Sequence, residues 1–461
     1  MYLVYALKFF FALAIARMLS PHDYGLVAYT SIFMTLASYF SGVGYAAALV
    51  QKKDPSEIDY STGFYFNLFL KFIFVIAYFI FAGNIADYFN EPDLKTVFRV
   101  ASLNLIFNAL FSIHAIKLTK ALKFKEHAII NFVSTLLGSI VGLTWVLIYR
   151  NYWALVFQTF SGTFFKMIGY WYFSRWKPII AYSWESWRTQ FKFGSKVFLQ
   201  GVIETLSRES YTYFIGKFHS TNSLGIYNRT LQFYNLFVVQ LSVAFNKVLY
   251  PTMSQYVVDE SEKKRVYHKS YLTLFAIFAP LSAYFYFNAH PVVLILLSNR
   301  WLSIIPFFKI LFLSGFVSCL LHFNSTTLLS FNKSGWFLKL EFVNKAILFI
   351  VLILTYRLGV EAILWGWLLS QYFVYLISEV TLGVFGYYES KKYYKMLLIL
   401  IAIIPSVAFN YFIIHNTRNY YMISILNFLF LVLTYLIFLK VTLNEVFDTF
   451  ISLLKIKSGN K

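Results

Sequence analysis

Apolar residues run through this chain in long stretches, broken by short turns rich in charge, Gly, Pro and Asn. The stretches fall near 1–16, 25–48, 59–83, 96–115, 127–149, 152–174, 191–216, 225–249, 268–290, 302–323, 335–356, 360–384, 394–414 and 420–440. Roughly 20 residues of helix cross the hydrocarbon core of a bilayer, so the pattern predicts an all-α integral membrane protein of about fourteen transmembrane helices. No turn between them is long enough to hold a globular domain.

A second pattern lies over the first. Ile15-Ala16-Arg17-Met18-Leu19-Ser20-Pro21-His22-Asp23-Tyr24-Gly25 returns as Ile215-Gly216-Lys217-Phe218-His219-Ser220-Thr221-Asn222-Ser223-Leu224-Gly225, and the echo continues through Thr30/Thr230, Phe33/Phe233 and Leu36/Leu236. The chain reads as a duplicated bundle, an arrangement suited to moving something across a bilayer. The expected division is an N-terminal lobe of six helices (1–175), an amphipathic linker (176–190), a C-terminal lobe of six helices (191–385), and two further helices with a tail (386–461). An even number of spans per copy makes the repeats parallel, related by an axis along the membrane normal. Mapped back by the repeat offset, the span beginning near Phe191 would start before Met1, so the first helix is expected to be short. A signal peptide is not expected at 2–15, because no charged leader precedes the apolar run and further spans follow at once.

Composition agrees with a membrane protein: 59% hydrophobic and 21% aromatic residues, with a mean hydropathy of +0.63, exclude an ordinary water-soluble fold. The formal charge of +20 does not point to nucleic acid, since the cations are scattered through short turns with no basic domain to grip a duplex. Cys319 stands alone, so neither an internal disulfide nor a thiolate metal site is expected. Alternate turns differ in Lys and Arg by about three to one. The richer set, including Lys52, Lys53, Lys117, Lys120, Lys123, Lys125, Lys247, Lys263, Lys264, Arg265, Lys391, Lys392, Lys455, Lys457 and Lys461, is expected in the cytoplasm with both termini. The turn bearing Asp87, Glu91 and Asp93 is then outside, in the company of Arg17, Lys217 and Arg418. The linker, from Arg175-Trp176-Lys177-Pro178 to Trp184-Glu185-Ser186-Trp187-Arg188-Thr189-Gln190-Phe191-Lys192, is expected to lie along the cytoplasmic face, aromatics in the headgroup boundary and cations toward anionic lipid.

These residues carry a resemblance. Ala16-Arg17-Met18-Leu19-Ser20-Pro21-His22-Asp23-Tyr24-Gly25 resembles the first outer loop of polysaccharide flippases of the Wzx type. Leu206-Ser207-Arg208, Ile215-Gly216-Lys217-Phe218 and Leu224-Gly225-Ile226-Tyr227-Asn228-Arg229 are similar to its colanic-acid exporter branch, as are Trp176-Lys177-Pro178 before Phe193-Gly194 and the two extra helices at the end. Thr221-Asn222-Ser223 departs from the small or acidic residues usual in the second turn. The resemblance implies membership of the multidrug/oligosaccharidyl-lipid/polysaccharide exporter superfamily, with two six-helix lobes in a V-shaped, pseudo-twofold arrangement around a cavity that opens alternately to either side. It also implies the cargo, an undecaprenyl-diphosphate-linked oligosaccharide turned from the cytoplasmic to the periplasmic leaflet of a bacterial inner membrane for surface polysaccharide synthesis. Glycan polymerase and glycosyltransferases of the same pathway are the implied neighbours, together with membrane lipid.

Charges inside the spans are the candidate chemistry. A cation at the bilayer midplane costs roughly 2.5–3.5 kcal/mol on insertion scales, and a lipid diphosphate needs fixed cations to pass a region of low dielectric. Lys8, Lys71, Lys166, Arg208, Lys309 and Lys345 are therefore the candidate diphosphate ligands. Lys8 and Arg208 sit at equivalent positions of the two copies, and Arg suits a diphosphate through its planar fork. The structural alternatives are local pairing of Arg208 with Glu204 and of Lys345 with Glu341, each at helical i,i+4 spacing, snorkelling of Lys166 to the interface, and, for Lys71, a helix face around Asn67 that is otherwise lipid-like. Glu204, Glu209, Glu341 and Glu379 are the candidate carriers of a coupling proton. Pro280, Pro306 and Pro405 are candidate bends. No phosphate-binding loop, no paired-aspartate motif and no metal spacing of histidines occurs, so neither cofactor nor metal is expected, and an enzyme of glycan assembly or an ATP-driven pump is disfavoured. A cation-coupled multidrug exporter of the same architecture remains the alternative.

Overall fold

A computed structural model describes residues 2–39, 44–243, 245, 260–387, 389–416, 420–442 and 444. Lys247, Arg418 and the tail cations Lys455, Lys457 and Lys461 lie outside the described residues. Among the described residues the structure is helical, and eight helices are long and apolar enough to cross a membrane. They coincide with the stretches at 59–83, 96–115, 127–149, 268–290, 302–323, 360–384, 394–414 and 420–440. The other six stretches also fall on helices, and those at 25–48 and 225–249 run on into undescribed residues.

The chain divides into two compact units, Met1–Asn228 and Arg229–Lys461. The first holds α1 (Tyr2–Met18), α2 (Pro21–Ser38), α3 (Gly44–Gln51), α4 (Glu57–Phe89), α5 (Leu94–Lys120), α6 (Phe124–Tyr149), α7 (Trp153–Ser174), α8 (Trp184–Phe218) and the start of α9 (Thr221–Tyr234). The second holds the rest of α9, then α10 (Glu260–Phe287), α11 (Ala289–Leu296), α12 (Ile305–Ser330), α13 (Ser334–Thr355), α14 (Val360–Leu382), α15 (Ser390–Ile401), α16 (Ile404–Asn416) and α17 (Tyr420–Thr442).

Local chemistry sets the ends of the helices. α2 and α4 both begin with a capping box: Ser20 and Ser56 accept from the backbone N–H of Asp23 and Asp59, whose carboxylates accept in return from the serine N–H groups. Two otherwise orphaned donors are thereby satisfied at each start. α4, α6 and α7 end where Asn90, Arg150 and Arg175 enter the left-handed region, at φ 55°, 50° and 50°. Within the spans the helices pack through small residues, because lipid gives apolar side chains little reason to leave it. At Gly138 of α6 a Cβ would lie 2.8 Å from the Gln158 carbonyl oxygen and the Gly162 Cα of α7. In the second unit α12 is the central helix. Phe308 and Phe312 meet at 4.4 Å, and Phe312 meets Phe285 of α10 at 4.3 Å.

The duplicated turn meets its own copy. A Cβ on Gly25 would stand 1.9 Å from the Thr221 carbonyl oxygen, and a Cβ on Gly225 would stand 1.7 Å from the Pro21 carbonyl oxygen. Thr221 and Gly225 occupy the positions of Pro21 and Gly25 in the second copy, so this is one contact made twice about a local twofold. Only glycine lets the two backbones approach so closely. Around the crossing, Tyr29 donates to the Gly216 carbonyl at 2.8 Å and its hydroxyl meets that of Thr221 at 3.2 Å. Thr221 in turn donates to Glu91.

α8 is continuous over 35 residues. At 1.5 Å per residue it is about 52 Å long, well beyond the roughly 30 Å of hydrocarbon. The helical part of the expected linker, from Trp184, is thus the leading end of the same helix that carries Arg208.

Candidate functional site

The linker is held by the start of α4. Asp59, 3% exposed, accepts from the Lys52 ammonium at 2.6 Å, the Ser186 hydroxyl at 2.6 Å and the Gln190 amide at 3.3 Å, besides closing its own capping box. Its neighbour Glu57 accepts from the Trp176 indole N–H at 2.5 Å and pairs with Lys117 at 2.7 Å. The backbone N–H groups of Ile179 and Ser183 donate to Ser61 and Thr62, each at 3.0 Å. One side of the linker is therefore committed to polar bonds with α4. The other side leaves Ile180 98% and Trp184 65% exposed, with Trp184, Trp187 and Phe191 stacked at 4.6 and 4.9 Å.

The candidate cations fall into different environments. Lys71 is buried at 2% exposure and donates to Asn108 of α5 at 2.5 Å, one turn from a bond of Asn67 to Ser112 at 2.6 Å. Asn67 and Lys71 on α4 thus meet Ser112 and Asn108 on antiparallel α5 as a two-rung polar ladder. The face that the sequence presents as lipid-like is packed against a helix, and Lys71 reaches no open surface there. Because removing both partners of a buried polar bond is close to neutral, Lys71→Met with Asn108→Leu is expected to keep transport and membrane abundance within about twofold of wild type. A collapse of transport at normal abundance would return Lys71 to the cargo.

Arg208 projects into the open, 60% exposed, and bonds Glu209 at 3.2 Å, whose carboxylate is largely buried. Glu204 lies exposed on the same helix. Lys8 is exposed on α1 and Lys166 is half-buried on α7. Lys166 also lies 5.8 Å over the Phe111 ring. Lys309 is half-buried over the Tyr286 ring at 5.4 Å. Lys345 and Glu341 are both half-buried on α13. Glu379 is not a free carboxylate: it pairs with Lys392 at 2.6 Å and accepts from Tyr393 and Asn324, each at 2.9 Å. Sequence reasoning had counted Lys392 only as a cytoplasmic turn cation. The signal available was that a lone buried acid on one span faced a cation at the start of the next.

The second unit bears an open apolar cavity of about 680 Å³ between α10, α12, α14, α15 and α16, lined among others by Phe275, Tyr286, Leu320, Tyr372, Met396 and Val407. Apart from Ser282 and the tyrosines, its walls offer nothing to bind a polar ligand, and they suit a hydrocarbon chain.

Known proteins share this plan. The family profile described as "Polysaccharide biosynthesis protein" matches residues 14–306. The succinoglycan biosynthesis transport protein ExoT of Rhizobium meliloti is 23% identical over 311 residues, 67% of this chain and 63% of that protein. The lipopolysaccharide biosynthesis protein WzxC of Escherichia coli is 24% identical over 312 residues, 65% of this chain and 62% of that protein. The matched region thus spans less than two thirds of the length of either relative. In fold, the chain is similar to the lipid II flippase MurJ in an inward closed conformation, with a TM-score of 0.76 at 15% identity, over 96% of this chain and 98% of that one. The match covers more than half of the chain, including the duplicated turn, the linker and α8 but not the two C-terminal helices that also carried the resemblance, and on that ground the chain belongs to the polysaccharide biosynthesis protein family.

Proposed function

We propose that this protein is a flippase that carries a lipid-diphosphate-linked oligosaccharide across a bacterial inner membrane, for the assembly of a surface polysaccharide, and that it is not an enzyme. The observation that carries the reading is the match of residues 14–306 to the polysaccharide biosynthesis protein family, on a fold similar to that of the lipid II flippase MurJ. Lys8 and Lys166 are two of the candidate cations of the first unit, and fixed cations lower the cost of taking a dianionic guest through a region of low dielectric. A diphosphate has the charge to benefit from them. The apolar cavity of the second unit supplies a place for the isoprenoid, and the names of the relatives, biosynthesis and transport proteins of succinoglycan and lipopolysaccharide, agree with such a cargo.

In this reading the two repeats are the lobes expected over 1–175 and 191–385, the linker end of the bundle is cytoplasmic, as are both termini, and the Gly25 and Gly225 crossing is on the outer side. Enzymes that build and polymerise the glycan supply and consume the cargo. The test is the pair of cations. Lys8→Gln with Lys166→Gln is expected to lower delivery of a labelled lipid-diphosphate oligosaccharide to the outer leaflet of proteoliposomes by roughly tenfold or more, the loss of two charge-assisted contacts. Chain abundance should be unchanged. Undiminished delivery, or efflux of cationic drugs instead, would favour the multidrug exporter.

A further inference from the structure

The second unit carries a built cation site whose occupant is part of the chain. Lys392, at the first turn of α15, is 2% exposed. Its ammonium touches the Glu379 carboxylate at 2.6 Å and the Tyr267 hydroxyl at 3.3 Å, and lies over the Tyr271 ring, 3.8 Å from its centre. The Tyr267 and Tyr393 ring centres are each 5.2 Å away, Tyr267 presenting its hydroxyl edge. Glu379 is held for this role by Asn324 of α12, which donates to Glu379 and to Ser378 at 2.9 Å and accepts from Tyr267 at 3.2 Å. A carboxylate and a phenol hydroxyl beside an aromatic face is the chemistry that favours an ammonium group over a strongly hydrated metal cation. Alongside, His268 meets Glu389, the residue before α15, at 3.3 Å.

We propose that Lys392 is a tethered ammonium filling an aromatic-carboxylate cage formed by α10, α12 and α14, and that the cage is a binding site for small primary ammonium ions once the lysine side chain is removed. Glu379 is then withdrawn from any exchange of coupling protons or cations with solution, because its counter-ion is covalently attached. The same contact positions the apolar cavity: Met396 and Leu400, one and two turns along α15 from Lys392, form part of its wall. This last consequence rests on the flippase reading, whereas the cage does not.

The experiment uses the full chain purified in detergent. Lys392→Ala is expected to lower Tm in sodium buffer, since it strands a buried carboxylate. Methylammonium chloride is expected to restore much of that loss with a saturable concentration dependence. An equal ionic strength of sodium chloride should not. Wild type and Lys392→Ala/Glu379→Gln, with the cage filled or its carboxylate removed, should show no specific methylammonium response. Absence of a methylammonium-specific rise in Lys392→Ala, or the same rise in wild type, overturns the proposal. If Lys392→Ala is recovered only when purified in methylammonium throughout, the proposal stands. If it fails in both buffers while Lys392→Met/Glu379→Leu folds, the pair is a structural tie and the proposal falls. Transport is a second readout: methylammonium should raise glycan delivery by Lys392→Ala several-fold. A Tm response without recovery of transport would retain the cage and count against the flippase reading alone.

Discussion

Replacing Gly225 by leucine is expected to abolish transport while leaving the chain in the membrane. A Cβ at this position would stand 1.7 Å from the Pro21 carbonyl oxygen and 2.8 Å from the Gly25 nitrogen. Overpacking a side-chain contact typically costs about 1–3 kcal/mol because neighbours shift rotamer. Here the neighbour is backbone on both sides, so relief requires α2 and α9 to separate. Gly25→Leu should behave alike, since its contact with Thr221 is the same contact seen from the other copy. The separation can be read directly. Tyr88 and Tyr213 touch through their hydroxyls at 2.6 Å, and Lys217 both donates to the Tyr88 carbonyl at 2.6 Å and covers its ring at 3.5 Å. Cysteines at 88 and 213 should be bridged by a bifunctional thiol reagent about as long as two tyrosine side chains in the Gly225 background, and much less in the Gly225→Leu background. Cys319, 3% exposed, does not compete. Efficient bridging in both backgrounds, or normal transport by Gly225→Leu, would show that the crossing need not close.

Replacing Asp59 by alanine is expected to be the most destabilising single change at the linker end. One carboxylate there closes the capping box of α4, pairs with Lys52, and holds Ser186 and Gln190 at the start of α8. A hydrogen bond to a charged group is worth about 1.5–3 kcal/mol. Lys52 is 44% exposed, so its share is reduced by solvent. Ser186 and Gln190 have no such escape, Gln190 being 4% exposed. A loss of about 2–3 kcal/mol follows from these contacts, visible as a lower Tm and as faster proteolysis between Lys177 and Lys192. Asp59→Asn, which keeps the shape and can still accept from Ser186, should lose less. Equal Tm values for Asp59→Ala and wild type would mean that the linker is held by its aromatic side alone.

Much of this was legible in the chain itself, and the places where it was not have a common cause. The stretch 302–323 reads as a span because apolar residues fill it, and it folds as α12 for that reason. The repeat at Gly25 and Gly225 was visible as two similar turns, but nothing in a string of residues says that the turns touch. Lys71 shows the limit from the other side. Its face of α4 looks like a lipid-facing surface bearing a stray cation, since Phe and Ile are as welcome against lipid as against another helix. The antiparallel register of α5 brings Asn108 and Ser112 to Lys71 and Asn67, and that register is set by packing. Glu379 reads in the sequence as a candidate coupling carboxylate, because its partner Lys392 lies on the next helix, where i,i+4 reasoning cannot reach.

The sequence by itself determined that this is a duplicated, helical membrane protein, since hydropathy and repetition are properties of segments and survive without knowledge of neighbours. It also carried the family, through loop and glycine patterns. Tertiary structure decided which of the charges are buried, paired or exposed. Burial, pairing and exposure depend on which helix covers which face, and in a chain with apolar residues on nearly every face only the packed arrangement tells a buried, hydrogen-bonded cation such as Lys71, a buried ion pair such as Lys392 with Glu379 and an exposed cation such as Arg208 apart.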